Sequence, residues 1–169
     1  VGPPGAGKST IAHLIPRFYD ISEGQITIDG QDIRNISLAS LRAAVGLIQQ
    51  DSFMFTAALE KNVAYGDPWA DRIRIEEAAT AAQLDQYIEG LPLGYQTMVG
   101  ERGVSLSGGQ RQRLSIARGI ILKPPILIFD DSTAAIDART ELTIRSSLQQ
   151  TAKNCATIII AHRLSSLIH

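Results

Sequence analysis

The chain has 169 residues, 44% of them hydrophobic and 20% charged, an ordinary globular mix and enough for one domain with its own core. Its formal net charge of −1 supplies no global field to recruit nucleic acid or anionic lipid. The single cysteine, Cys155, excludes an internal disulfide and a cysteine-built zinc site, and no apolar run approaches the roughly 18–20 residues needed to cross a bilayer.

The first element is a loop. GPPGAGKST, residues 2–10, fits G-x-x-x-x-G-K-[ST], with Gly2, Pro3, Pro4, Gly5, Ala6, Gly7, Lys8, Ser9 and Thr10 as a candidate nucleotide cradle. Glycines at 5 and 7 let backbone N–H groups approach phosphate oxygens with no Cβ in the way. Lys8 offers a point charge to the β- and γ-phosphates, and the Ser9 hydroxyl a ligand to Mg2+. A helix is predicted over Lys8–Phe18, its apolar face marked by Ile11, Leu14, Ile15 and Phe18. Because the chain begins at Val1, already inside this motif, it is expected to be a fragment of something longer and marginally stable alone.

A strand is predicted over Gln25–Ile28, closed by an Asp29-Gly30 turn signal, then a helix over Leu38–Ala43 and a strand over Val45–Ile48. Past Asp51 the strand signal fades. The segment rich in Ala, Glu and Gln, with a predicted helix over Ile75–Ala82, reads as a helical insertion. LSGGQ, residues 106–110, opens a predicted helix over Gly108–Leu122. Ser107 followed by Gln110 is a capping-box pattern, and Gly108 and Gly109 strip side chains from its first turn. Arg111, Arg113 and Arg118 on this helix read as solvated or salt-bridged, with Arg111 near enough the helix start to face phosphate.

Lys123-Pro124-Pro125 marks the return to the sheet. PPILIFDD is then a continuous apolar strand, Ile126–Phe129, of the kind buried on both faces of a parallel sheet, and Asp130 ends it where such sheets bind ligands. Asp130 is the candidate Mg2+-holding acid, and Asp131 follows it. A helix over Ala138–Gln150 and a strand over Thr157–Ile160 complete the pattern. Cys155 is expected as a small buried residue, Trp69 is expected to pack on the helical insertion, and His13 and His169 are expected at the surface.

Phosphate loop and carboxylate strand, with LSGGQ placed between them, strongly resemble the ATP-binding cassette (ABC) family over nearly the whole chain. The resemblance implies an α/β fold, a P-loop NTPase core with a parallel sheet plus an inserted α-helical subdomain, here truncated at its N-terminus. The core would comprise 1–50 and 121–169, and the helical signature subdomain 51–120. It implies ATP and Mg2+ as ligands and a second cassette as partner, with ATP sandwiched between one phosphate loop and the other chain's Leu106, Ser107, Gly108, Gly109 and Gln110. Gln50 in LIQQD matches the glutamine that meets Mg2+ and the attacking water, Asp137 the D-loop aspartate, and His162 in IIIAHR the switch histidine beside the γ-phosphate. Mg2+ would be held by Ser9, Gln50 and Asp130. TMVGERGVSLSGGQ resembles the exporter branch, in which Glu101 lies in a loop touching coupling helices of a transmembrane domain in the same polypeptide. Phe53 and Phe55 face that helix or pack beneath the insertion. The implied location is the cytoplasmic face of a membrane, and no nucleic acid is expected as partner.

The family usually carries glutamate where this chain has Asp131. Aspartate keeps the charge but is shorter by one C–C bond, roughly 1.5 Å. A misplacement of about 1 Å at a reacting centre can cost on the order of 100-fold. With Asp131 the catalytic set reads Asp131, His162 and Gln50, and slow hydrolysis is expected at this site. Two arrangements follow: the degenerate-site subunit of a heterodimeric exporter, which the aspartate favours, or an active homodimer that tolerates it. A non-hydrolytic ATP clamp is the alternative function. A soluble ABC ATPase acting on DNA or ribosomes is disfavoured by the exporter-type loop around Glu101.

Overall fold

The computed structural model describes residues 5–49, 53–100, 106–130, 135–151 and 155–160. Helix α1 (Lys8–Leu14) follows the phosphate loop, and β1 (Thr27–Ile28) pairs antiparallel with β2 (Gln31–Asp32). Helix α2 (Leu38–Ala44) leads into β3 (Val45–Ile48). Helices α3 (Leu59–Val63), α4 (Arg72–Ala81), α5 (Asp85–Glu89) and α6 (Gly108–Ile120) come next. Strand β4 (Ile126–Asp130), helix α7 (Ala138–Thr151) and β5 (Ala156–Ile160) finish the described chain.

Strands β3, β4 and β5 form one parallel sheet in that order, with Val45 opposite Ile126 and Ile126 opposite Ala156. Parallel neighbours need crossovers. The α3–α6 region supplies one and α7 the other. Side chains alternate across the sheet, and that alternation makes two cores. Val45, Ile128 and Ile160 meet Ala12, Ile33 and Leu41 on one face. Ile48, Leu127 and Phe129 meet Leu114, Ile116 and Ile120 of α6 on the other. The continuous apolar run of β4 is thus explained by cover on both sides, and its last residue, Asp130, is only 8% exposed.

Three local differences from the sequence reading have clear causes. Helix α1 ends at Leu14 rather than Phe18, because Pro16 has no N–H to continue the ladder. Arg17 instead turns left-handed at φ 52°, its N–H donating to Leu14 O at 3.0 Å and that of Phe18 to His13 O at 3.0 Å. That is a Schellman closure made without glycine. The predicted strand at Gln25–Ile28 shortens to two residues and belongs to a separate hairpin, not to the parallel sheet. Asp29 (φ 50°) and Gly30 (φ 79°) form its two-residue turn, the pattern of a type I′ hairpin, and β2 pairs across it. Helix α4 starts before its apolar pattern because Asp71 caps it, accepting from Arg74 N–H at 2.8 Å.

Between β3 and β4 the described residues hold helices, 3-10 turns and one isolated bridge, Ala58 to Met98, but no strand. Helix α6 lies directly on the sheet. A Cβ built on Gly119 would come within 2.6 Å of Ile48 Cγ1, so glycine is what lets helix and strand approach this closely.

Candidate functional site

The phosphate loop and the carboxylate strand converge. The Ser9 hydroxyl donates to Asp130 Oδ1 at 3.0 Å, across 121 residues of sequence. Asp130 reaches that point because β4 is the middle strand, and Ser9 because α1 packs against the same strand. Gly5 (φ 79°) and Gly7 (φ 81°) both adopt the left-handed conformation that L side chains avoid, and a Cβ at either would meet nothing within 4 Å. Their requirement is conformational rather than steric, the left-handed turns of a loop whose backbone amides can wrap an anion. Ala6, Ser9 and Thr10 are exposed and Lys8 half-buried, so the loop is open to solvent. Gly2, Pro3 and Pro4 lie outside the described residues.

The Ser9–Asp130 pair fits a small hard cation. Mg2+ binds through one or two protein oxygens and keeps several waters or phosphate oxygens. One hydroxyl and one carboxylate at the mouth of a phosphate cradle are that donor set. Among the described residues no cluster of three His, Cys, Asp or Glu side chains offers a competing site.

The signature stretch forms the capping box its sequence predicts. Ser107 Oγ accepts from Gln110 N–H at 3.2 Å, and Gln110 Oε1 accepts from Ser107 N–H at 2.8 Å. Leu106 is buried, anchoring the turn, whereas Ser107 is exposed. Gly108 and Gly109 face Ala135: a Cβ on Gly109 would approach Ala135 O at 3.1 Å. Gln112, buried one turn later, accepts from Ala135 N–H at 2.8 Å. The first turns of α6 are therefore fastened to the segment that leaves Asp130. Asp137 is exposed and caps α7, accepting from Thr140 N–H at 3.0 Å, and this bond holds its carboxyl below the usual aspartate value.

Gln50, Glu101, Asp131 and His162 lie outside the described residues. Other readings change. Arg111 donates to Leu106 O at 2.6 Å, bracing the turn that carries the signature. Arg118 is neither solvated nor salt-bridged: it is half-buried, donates to Asn62 O and Asn62 Oδ1 at 3.0 Å and to Phe53 O at 2.9 Å, and burial lowers its pKa. Phe55 stacks on Tyr65 at 4.0 Å while Phe53 stays 60% exposed. Trp69 does not pack on the insertion. It is 93% exposed, because its N–H turns back to Asp67 Oδ1 at 3.3 Å and Ala70 takes the inward position. Cys155 is only partly buried, at the margin of the larger core. His13 is half-buried, its Nε2 3.4 Å from Gln49 Nε2. Asn62 and Gln112 were residues sequence reasoning missed, and Arg118 one it misread. The usable signal was a polar residue on a buried stripe, as Asn62 is between Leu59 and Val63.

The family profile described as "ABC transporter" matches residues 1–134. The chain is 52% identical over 167 residues to the "ATM1-type heavy metal exporter" of Novosphingobium aromaticivorans, covering 99% of this chain and 28% of that protein. It is 48% identical over 169 residues to the "Putative multidrug export ATP-binding/permease protein YgaD" of Bacillus subtilis, covering 29% of it. Among solved structures, that of "a bacterial Atm1-family ABC exporter with ATP bound" superposes with a TM-score of 0.95 at 52% identity, over 98% of this chain and 29% of that one. The chain thus spans less than a third of the length of these relatives.

Proposed function

The chain belongs to the ABC transporter family and has its ATPase fold, and on that premise we propose that it is the ATP-hydrolysing motor of a membrane exporter. The observation that carries the reading is the 3.0 Å contact of Ser9 with Asp130 beside a cradle of left-handed glycines. In this reading Gly5 to Thr10 wrap the phosphates, with Lys8 neutralising charge on the β- and γ-groups. Ser9 and Asp130 hold Mg2+, with Gln50 added by resemblance; the ion supplies charge neutralisation when bound. Residues 1–50 and 121–169 form the core that holds the nucleotide, and residues 51–120 the helical part that carries the signature.

The working unit is a pair of cassettes. The exposed Ser107 and the first-turn backbone N–H groups of Gly108 and Gly109, on α6, meet the γ-phosphate held by the partner. ATP closes the pair, and the helical part passes closure to a transmembrane domain of the same polypeptide at the cytoplasmic face, through Glu101 and its loop. Hydrolysis reopens it, with Asp131 and Gln50 orienting water and His162 meeting the γ-phosphate. The partner is favoured to be a different cassette that supplies the longer glutamate.

The test is the ATPase rate of the full-length protein with Asp131→Glu. A rise of tenfold or more, about 1.4 kcal/mol of barrier, is expected if the short carboxylate holds the site back. Brisk wild-type turnover that glutamate leaves unchanged would make Asp131 competent and the pair an ordinary active homodimer. Absence of ATP binding would refute the motor reading itself.

A further inference from the structure

We propose that Arg118 is a positioning residue: through Asn62 it locks the segment that follows Gln50 to the signature helix, and the lock sets the rate of ATP turnover rather than ATP affinity. The inference rests on the ATPase reading above. Arg118 uses three nitrogens on two chain segments. Nε donates to Asn62 O at 3.0 Å, Nη2 to Asn62 Oδ1 at 3.0 Å and Nη1 to Phe53 O at 2.9 Å. Its guanidinium lies 5.1 Å from the Phe55 ring centroid and 5.6 Å from that of Tyr65. Asn62, fully buried, extends the lock. Its amide donates to Phe55 O at 2.9 Å, Ala57 O at 3.2 Å and Ala58 O at 3.3 Å, and its Oδ1 also accepts from Phe55 N–H at 3.0 Å.

A filler of space would not be built this way. Taking a cation out of water is costly unless it is paired, yet none of the ion pairs among the described residues includes Arg118. It is satisfied by carbonyls and ring faces instead, an arrangement that needs the planar fork of arginine. The acceptors are also placed with purpose. Phe53 stands three residues past Gln50, and Arg118 stands ten residues past Gly108, about 15 Å along the same helix. Displacement of the segment at Phe53 is therefore delivered to α6 as a whole, and through it to the signature turn. The phosphate cradle at Gly5 to Thr10 spans the loop before α1 and its first turn and makes no part of the lock, so ATP affinity is left alone.

The test is Arg118→Lys in the full-length protein, with steady-state ATPase kinetics normalised to ATP-binding-competent molecules. Lysine keeps the charge, but its three donors radiate from one nitrogen and cannot reproduce the planar fork that spans Asn62 and Phe53. The expected result is a kcat lower on the order of tenfold with KM for ATP within about twofold. Hydrogen exchange should speed up at the amides of residues 53–62 and stay unchanged at those of 126–130. A kcat within about twofold of wild type overturns the proposal. So does loss of protection spread evenly over 53–62 and 126–130, which would make Arg118 a core residue only. Asn62→Ala, which removes the shared acceptor, is expected to reproduce the kcat loss, and Arg118→Lys added to it to cost little more. A wild type that neither binds nor hydrolyses ATP would instead overturn the motor reading, leaving the exchange pattern to judge the lock.

Discussion

Gly119→Ala in α6 tests how tightly the signature helix is seated. On an exposed helix face the change would stabilise by about 1 kcal/mol through helix propensity. Here the new Cβ would stand 2.6 Å from Ile48 Cγ1 and 2.8 Å from Cδ1, where ordinary contact begins near 3.4 Å. Ile48 is 1% exposed and wedged between α6 and the sheet, so it has nowhere to turn. Overpacking of a filled core costs about 1–3 kcal/mol, and two overlapped carbons place this site in the upper part of that range. The net expectation is a loss of about 1–2 kcal/mol after the propensity gain. Native-state hydrogen exchange on the full-length protein reads it, as faster exchange in α6 and β3. Ile48→Ala costs stability by itself but removes both overlapped carbons, so Gly119→Ala added to it should be neutral or stabilising. The coupling in that double-mutant cycle should reach about 1–3 kcal/mol. A neutral Gly119→Ala in the wild-type background, or no coupling to Ile48, would refute the seating described here.

Ser9→Ala removes the hydroxyl that meets Asp130. It should leave nucleotide binding without Mg2+ nearly unchanged and abolish most of the gain in affinity that Mg2+ brings, measured by titration with and without the ion. Gln112→Leu keeps the volume of a buried side chain but strands Ala135 N–H, an orphan costing about 1–3 kcal/mol. It should raise exchange at Ala135 and reduce the cooperativity of hydrolysis with ATP concentration. At Asp137 the native pKa is depressed, so its contribution is present above the ordinary value of 3.8 and is lost as pH falls through the lower native pKa. Asp137→Ala should speed exchange at the Thr140 amide near neutral pH, and the difference from wild type should shrink as the carboxylate protonates.

The motifs that identify the site were legible because each is a local backbone device. Left-handed conformation at Gly5 and Gly7 follows from residue type, and the Ser107–Gln110 box from spacing alone. Strand β4 was legible for a related reason, since only burial on both faces tolerates ILIF unbroken. What escaped was decided by contacts distant in sequence. Arg118 looks like any helix-surface cation until Phe53 and Asn62 arrive from elsewhere in the chain. Trp69 looks like a core residue by composition, but the turn at Asp67 points it outward. The pairing of Gln25–Ile28 was misassigned because a two-residue strand carries no periodicity. Only the Asp29-Gly30 turn discloses its antiparallel mate.

Helix α6 is fastened at both ends to the chain on either side: to Ala135 past β4, and to Ile48 of β3 and Phe53 beyond it. Its first turns meet Ala135, five residues past Asp130, through Gly109 and Gln112. Its last turns meet Phe53 through Arg118 and Ile48 through Gly119. A 13-residue helix is about 20 Å of stiff rod, and its internal hydrogen bonds do not stretch to absorb a shift at one end. Coupling between distant sites needs such a contiguous element together with two states that both sites bias. Under the proposed function those states are the closed and separated cassettes. In that reading the signature turn faces the partner's ATP, while Ala135 and Phe53 lie along the chain from Asp130 and Gln50 of the chain's own site. On the proposed function, the attachments of α6 are therefore where one ATP site would learn the condition of the other. A short carboxylate at Asp131 then need not weaken the whole machine. On the proposed function, the site that holds it would still bind ATP, close, and through α6 set the signature turn on which the other site's hydrolysis depends.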